Sequence, residues 1–294
     1  MTAEWLVLSA LVPLPGEEFL MVDALRRLGA RAIEREGERV VAWLPPPADV
    51  AELLRDAGAA IRASTSMTDP ALACHWQTHA QWVERWVRPV EPRRVTDRIV
   101  IAALEHAVAL DGVALDNDIV IRLEAGIAFG TAEHATTRGC LLLLERLVRD
   151  GDCVADIGTG TGVLAIAAAR LGARRVLAFE ADSLSCDGAR RNVAANAVAD
   201  RVAVRERIVA AADLRRMPRC NVILANLELT AIRRLLPALR DALVPGGFLI
   251  AAGVTGGERA ALLDDSADAD LVLHARSDID GWLTAAFTHG PPPA

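Results

Sequence analysis

The chain has 294 residues, of which 52 % are hydrophobic and 24 % are charged, and its formal net charge at pH 7 is −7. This composition excludes a disordered chain, and the length predicts one large domain and one smaller domain. The negative charge argues against direct binding to nucleic acid. Apolar runs stay short of the roughly 20 residues that cross a bilayer, and Glu4 stands where a signal peptide needs basic residues. We therefore expect a cytoplasmic protein that does not enter a membrane.

Several kinds of site are excluded by the residues that the chain lacks. Its five cysteines are scattered without a CxxC pair, so we expect reduced, packed thiols and neither a disulfide framework nor a zinc site. His75 and His79 have the spacing of metal ligands on a helix, but the acid of an HExxH motif is missing, and we predict no metal site. Lysine and tyrosine are absent, which excludes a Schiff-base lysine, a P-loop lysine and a catalytic tyrosine.

The first 66 residues alternate between strand-like and helix-like segments. Apolar residues at helical or alternating spacing, separated by Gly and Pro, predict the order strand, helix, strand, strand, helix, strand. The predicted strands are 4–12, 31–36, 39–45 and 59–64, and the predicted helices are 16–29 and 48–58. This order is typical of a ferredoxin-like domain, which we place at residues 1–66.

A tryptophan-bearing segment follows, and we predict that residues 67–92 form a helical linker. Trp82 and Trp86 are four residues apart and would share one helix face, while Pro89 and Pro92 would end the helix. The aromatic face would dock on a domain or contact the substrate.

Residues 93–294 repeat strand, loop and helix units with continuous apolar strands. Such strands, alternating with helices, predict a mostly parallel sheet with helices on both faces, an α/β Rossmann-like domain.

The strongest local motif in this domain is "DIGTGTG" at residues 156–162, after an apolar strand and before a helix. Gly158 and Gly160 allow a tight turn in which the backbone approaches a ligand, and the helix start offers free N–H groups. A carboxylate at the end of the next strand accepts hydrogen bonds from a ribose diol, and Glu180 supplies it, with Asp182 as the lesser candidate. The motif fits both a dinucleotide and S-adenosylmethionine (SAM).

Two later features favour SAM. Asn226 ends the apolar strand "VILAN", at the edge where open α/β sheets bind their ligands. The helix that follows runs into a Pro-Gly-Gly turn at 245–247, as in SAM-dependent methyltransferases, and the chain has no catalytic His or Cys pair of a common dehydrogenase.

The segment "GIAFGTAEHATT" at residues 126–137 gathers glycines and hydroxyls just ahead of a predicted helix. Unpaired N–H groups at a helix start favour anions. This segment predicts a binding site for an anion.

Together these motifs resemble the ribosomal protein L11 methyltransferases (PrmA), a family of class I SAM-dependent methyltransferases, over nearly the whole chain. The resemblance rests on the ferredoxin-like start, "QWVERW", "GIAFGTAEHATT", "DIGTGTG" and "ANL", in the family's order and spacing. It implies SAM contacts at Thr137, Gly158, Glu180 and Asn226, next to Gly160 of the turn. Two positions depart from the family: Ala132 stands where the family has Gly, and Glu180 stands where it usually has Asp.

The resemblance implies transfer of methyl groups to lysine side-chain and/or N-terminal amines of ribosomal protein L11. Asn226 would orient the amine as the catalytic residue, His134 is the nearby titratable group, and residues 1–66 would recognise the substrate, in a protein expected to be monomeric. Two alternatives remain: methylation of another protein's lysines, and a non-catalytic regulatory module that binds SAM or a dinucleotide.

Overall fold

The computed structural model describes residues 4–12, 14, 17–78, 81, 92–104, 113–124 and 134–290. The chain divides into two compact units, Met1–Val87 and Arg88–Ala294. The predicted linker helix around Trp82 and Trp86, together with Ala132, lies outside the described residues.

The N-terminal unit has the predicted ferredoxin-like architecture. Its elements are β1 (Glu4–Leu11), α1 (Glu18–Arg27), β2 (Ala32–Glu36), β3 (Arg39–Leu44), α2 (Val50–Ser64) and β4 (Ala73–Thr78). The strands form one sheet in the order β2-β3-β1-β4, with every neighbouring pair antiparallel. Apolar residues of β1 and β3 pack against those of α1 and α2 to form the core of this unit.

The prediction of a fourth strand at residues 59–64 is wrong, because these residues continue α2 to Ser64. Ala57 and Ile61, four residues apart, are both fully buried on one helix face, and that spacing carries the helix past Gly58. The fourth strand is β4, inside the segment predicted as linker, so the N-terminal sheet extends beyond residue 66. His75 lies in this strand, so the helical spacing considered for His75 and His79 does not hold at His75.

The C-terminal unit begins with a small sheet of three strands. They are β5 (Arg93–Arg94), β6 (Ile99–Ala103) and β7 (Ile119–Leu123). β6 pairs with β5 in the antiparallel sense and with β7 in the parallel sense.

Alternating strands and helices then build the large sheet. The strands are β8 (Cys153–Ile157), β9 (Arg175–Glu180), β10 (Val202–Glu206), β11 (Cys220–Asn226), β12 (Leu243–Thr255), β13 (Val272–Ile279) and β14 (Trp282–Thr288). The helices are α3 (Ala135–Leu147), α4 (Val163–Arg170), α5 (Ser183–Ala195), α6 (Ala211–Arg216), α7 (Leu229–Asp241) and α8 (Arg259–Asp268), with a 3-10 turn at Gly256–Glu258.

The seven strands lie in the order β10-β9-β8-β11-β12-β14-β13. The first five are parallel, and β14 runs antiparallel to both β12 and β13. Val154 of β8 packs with α3, α4 and α5 on one face, whereas Ala155 and Ile157 pack with α6, α7 and α8 on the other. Helices on both faces confirm the predicted Rossmann-like class.

This topology brings the ends of β8, β9, β11 and β12 to one side of the sheet, which we call the carboxyl edge. β14 starts at the same edge, because Trp282 pairs with Thr255 at the end of β12. None of the helices in the described ranges is long and apolar enough to cross a membrane.

Candidate active site

The glycine turn after β8 is held tightly against the neighbouring strand. The N–H groups of Gly158 and Thr159 both donate to the carbonyl oxygen of Phe179, at 2.9 Å each. Gly158 has φ +78°, a left-handed conformation that side chains rarely adopt, and a Cβ there would lie 2.7 Å from Leu227 Cδ2. The backbone conformation therefore favours glycine at residue 158, and any larger residue would also have to displace the end of the Leu227 side chain.

Glu180 ends β9 with its carboxylate turned onto the glycine turn. Its Oε2 accepts the N–H of Gly160 at 3.0 Å, and its Oε1 accepts those of Ala181 and Asp182 at 2.7 and 3.1 Å. A carboxylate offers about four acceptor positions, so capacity remains for a hydroxyl group. The lesser candidate, Asp182, is the N-cap of α5 and accepts the N–H of Ser185, so its carboxylate serves the helix.

Asp156 places a buried carboxyl beneath the glycine turn. Its Oδ2 accepts the Thr159 hydroxyl at 2.6 Å, while its buried Oδ1 makes no hydrogen bond within the described part of the chain. Burial raises the pKa of Asp156 from 3.8 to about 6. The hydrogen bond from Thr159 lowers this pKa, and the negative charge of Glu180 raises it. The backbone N–H of Ala165 also favours the charged form. The turn thus lies between two carboxyl groups, one of them fully buried.

Asn226 is half-buried at the end of β11, one residue before the Leu227 that contacts the glycine turn. Leu227 donates its N–H to the Ala252 carbonyl oxygen at 3.0 Å. A Cβ at Gly253, which has φ +89°, would overlap the carbonyl oxygen of Leu227. The close passage of β12 behind Leu227 therefore fixes the position of the loop that begins at Asn226.

Thr137 lies in the first turn of α3 and is buried, and its Oγ1 has no hydrogen-bond partner among the described residues. His134 caps this helix and its Nδ1 lies 2.8 Å from the Thr136 hydroxyl. The His134 ring meets that of Trp282 edge-on, with centroids 4.7 Å apart. Because Trp282 begins β14, the N-terminus of α3 lies at the carboxyl edge with the glycine turn.

The structure thus places all five predicted residues at one edge of the sheet. It joins Gly160 to Glu180 by a hydrogen bond, and the residue after Asn226 contacts Gly158. Sequence reasoning missed Gly253 and Trp282; only Gly253 left a signal, as a lone glycine within an apolar strand. No group of three or more His, Cys, Asp or Glu suited to a metal occurs in the described ranges.

Comparison with known proteins gives one consistent family. The family model described as ribosomal protein L11 methyltransferase (PrmA) matches residues 22–289. The chain is 33% identical to the protein named ribosomal protein L11 methyltransferase of Pelotomaculum thermopropionicum, covering 96% of this chain and 98% of that one. It is 34% identical to the protein of the same name in Symbiobacterium thermophilum, covering 83% of this chain and 78% of that one.

A solved structure agrees with these relatives. The ribosomal protein L11 methylase of Lactobacillus delbrueckii subsp. bulgaricus superimposes with a TM-score of 0.62 at 27% identity, covering 68% of this chain and 99% of that one. The chain belongs to the ribosomal protein L11 methyltransferase (PrmA) family and is a class I methyltransferase of the SAM-dependent kind.

Proposed function

We propose that this chain transfers methyl groups from SAM to lysine side-chain and/or N-terminal amines of ribosomal protein L11. The observation that carries the proposal is the carboxyl edge of the large sheet. Here lie the Gly158 turn, two carboxyl groups, the Asn226 amide and a Thr137 hydroxyl that has no partner among the described residues. The relatives of the chain are named ribosomal protein L11 methyltransferase.

The polar groups at this edge fit the groups of SAM. The first turn of α3 and the buried Thr137 hydroxyl suit the ligand's carboxylate, because a helix start and a hydroxyl group both supply hydrogen-bond donors. The Glu180 carboxylate suits the ribose diol, and the turn at Gly158 and Gly160 lets the backbone come close. The buried Asp156 carboxyl suits a ligand that bears positive charge.

The cofactor, when bound, supplies an electrophilic methyl group. The acceptor amine must be uncharged to attack it, yet a lysine amine has a pKa of about 10.4 in water. We propose that the half-buried position of Asn226 partly desolvates the amine, which lowers its pKa, and that an oxygen of Asn226 aligns it for in-line attack.

The proton released by the amine passes to water in this proposal. His134 is a poor candidate for the base, because its Nδ1 accepts the Thr136 N–H and lies beside the Thr136 hydroxyl. We propose instead that His134 stabilises the N-terminus of α3 as its N-cap residue.

We further propose that the N-terminal unit recognises the substrate and that the protein acts in the cytoplasm as a monomer. A separate ferredoxin-like unit gives a second surface for a protein substrate. The net charge of −7 suits a basic partner, since opposite charges steer association.

Calorimetric titration tests which cofactor binds. A methyl-transfer assay then separates an enzyme from a regulatory module that only binds the cofactor. We expect SAM to bind and NAD not to bind. Asn226→Ala should retain SAM affinity within about threefold while losing at least about 100-fold in methyl transfer, because the asparagine acts on the acceptor amine.

Asn117→Ala, at an exposed turn, is the matched control and should keep full activity. Binding of NAD in place of SAM would contradict the proposal. So would an Asn226→Ala variant that transfers methyl groups at the wild-type rate.

A further inference from the structure

Two cysteines lie in contact at the edge of the large sheet opposite the proposed active site. Cys153 is the first residue of β8 and Cys220 is the first residue of β11, and these strands are neighbours. Their sulfur atoms are 3.5 Å apart. All five cysteines are described, and this is the one pair among them with sulfurs at hydrogen-bond distance.

The backbone geometry suits a covalent bond between these sulfurs. Val154 and Val222 are aligned partners, so the cysteines sit one and two residues before an aligned pair on adjacent parallel strands. An offset of one residue along strands about 4.8 Å apart puts the two Cα atoms about 6 Å from each other, within the 4.4–6.8 Å that a disulfide spans. The sulfur atoms must close from 3.5 Å to about 2.05 Å for the bond to form.

The two thiols differ in their surroundings. Cys153 is 8% exposed and Cys220 is fully buried, so a small oxidant reaches Cys153 first. The hydrogen bond between the two thiols lowers the pKa of Cys153, burial raises it, and the positive charges of Arg175 and Arg174 lower it further. The pKa of Cys220 is raised by the same hydrogen bond and by burial. Cys153, the more exposed thiol and the one beside two arginines, is therefore the first of the pair to react.

We propose that Cys153 and Cys220 are an oxidative modification site, at which hydrogen peroxide converts the dithiol to a reversible intramolecular disulfide. The Cys153 thiolate attacks peroxide, the O–O bond breaks, and Cys153 sulfenic acid and water form with uptake of one proton. The Cys220 sulfur then displaces hydroxide from Cys153, the S–S bond forms, and the Cys220 proton leaves in a second water molecule. Both sulfurs are oxidised, and one peroxide is reduced to two waters.

The test is peptide mass spectrometry of the full-length protein after brief treatment with hydrogen peroxide. Remaining thiols are alkylated during denaturation and the protein is digested without reduction. We expect a cross-linked peptide pair that contains Cys153 and Cys220 and that disappears on treatment with dithiothreitol. Alkylation of both cysteines after peroxide treatment, or sulfinic acid at Cys153 without a cross-link, would overturn the proposal.

Single variants test the order of the two steps. Cys220→Ser should accumulate sulfenic acid at Cys153, trapped by a 1,3-diketone probe, and Cys153→Ser should leave Cys220 as a thiol. Cys74→Ser is the matched control, because Cys74 is half-buried in the N-terminal sheet, and it should leave the cross-link intact. Sulfenic acid at Cys220 in Cys153→Ser would contradict the assigned order. The wild-type result does not depend on whether any variant folds.

Discussion

At the scale of single residues, the glycine turn shows what a local motif predicts and what it leaves out. Gly158, Gly160 and Glu180 could be predicted because a strand end, a glycine run and the next acidic residue are readable in the sequence. The contact of Gly158 with Leu227 could not be predicted, since it joins loops about 70 residues apart. A local sequence pattern does not show which distant loops contact each other in the fold.

Gly158→Ala should lower the free energy of unfolding by about 2–3 kcal/mol, from a strained left-handed φ and from overlap with Leu227. SAM affinity should fall at least about tenfold, because the added methyl group either displaces the Leu227 side chain beside Asn226 or shifts the turn. Urea unfolding and calorimetric titration measure the two effects.

Gly151→Ala is the matched control, since Gly151 has φ +83° but no atom within 4 Å of an added Cβ. It should cost only about 1 kcal/mol and leave SAM affinity unchanged. Equal losses in the two variants would contradict a role for the Leu227 contact.

Asp156 makes the stability of the protein depend on pH. Because its pKa is raised from 3.8 to about 6, the folded protein binds more protons than the unfolded chain in this range. Stability contributed by this group is therefore lost as pH rises from about 4 to above 6. Asp156→Asn removes the titration but keeps an oxygen that can accept the Thr159 hydroxyl.

The variant should therefore gain about 2 kcal/mol of unfolding free energy relative to wild type between pH 4 and pH 7.5. Urea unfolding of both proteins at a series of pH values measures this difference. A difference that does not change with pH would show that Asp156 titrates normally.

The Glu180 carboxylate holds the glycine turn and, in the proposed function, accepts the ribose hydroxyls of SAM. Substitution by glutamine removes its charge and keeps its size. Glu180→Gln replaces one accepting oxygen by an NH₂ group, which faces backbone N–H groups of the turn or of Ala181 and Asp182. SAM should bind at least about tenfold more weakly, because hydrogen bonds to a charged acceptor contribute about 1.5–3 kcal/mol.

Glu206→Gln makes the same change of charge at the end of the neighbouring strand β10, at an exposed position, and should leave SAM affinity within twofold. Calorimetric titration compares the two variants. Equal affinities would mean that Glu180 does not contact the cofactor.

At the scale of elements, helical and alternating periodicity predicted both helices and the first three strands of the N-terminal unit. The short helix α6 and the helix α8 of the C-terminal unit were not predicted. The prediction of a strand at residues 59–64 is wrong. "AAIRAS" is short and apolar enough for a strand, but Ile61 continues the buried face of α2. Periodicity alone does not distinguish a short buried strand from a helix end. β4 escaped prediction because its sequence, "ACHWQT", is half polar, shows no clear alternation and has no fully buried residue.

The position of α3 depends on a glycine that no motif marks. A Cβ at Gly139 would overlap the hydroxyl of Thr284 in β14, so α3 lies unusually close to the sheet there. Gly139→Ala should lower the free energy of unfolding by about 2–3 kcal/mol despite the better helix propensity of alanine. Urea unfolding measures the loss.

Gly188→Ala in α5 provides the matched helical control, because an added Cβ there meets only Arg191 Nη2 at 3.9 Å. It should raise the free energy of unfolding by up to about 1 kcal/mol. If Gly139→Ala is also stabilising, the close approach of α3 to β14 is not what fixes this helix.

At the scale of the whole molecule, the division into a small antiparallel unit and a large, mostly parallel unit follows from composition and element order. The family also follows, because several motifs occur together in one order along the chain. The substrate depends on surfaces that no short motif encodes, and it stays a proposal. Methylation of L11 is therefore the property to measure.

The measurement is mass spectrometry of purified ribosomal protein L11 after incubation with this protein and SAM. We expect one or more added methyl groups on lysine side-chain or N-terminal amines of L11, absent without SAM, lost with Asn226→Ala and kept with Asn117→Ala. Unmodified L11 in the presence of a folded protein that binds SAM would contradict the proposed function.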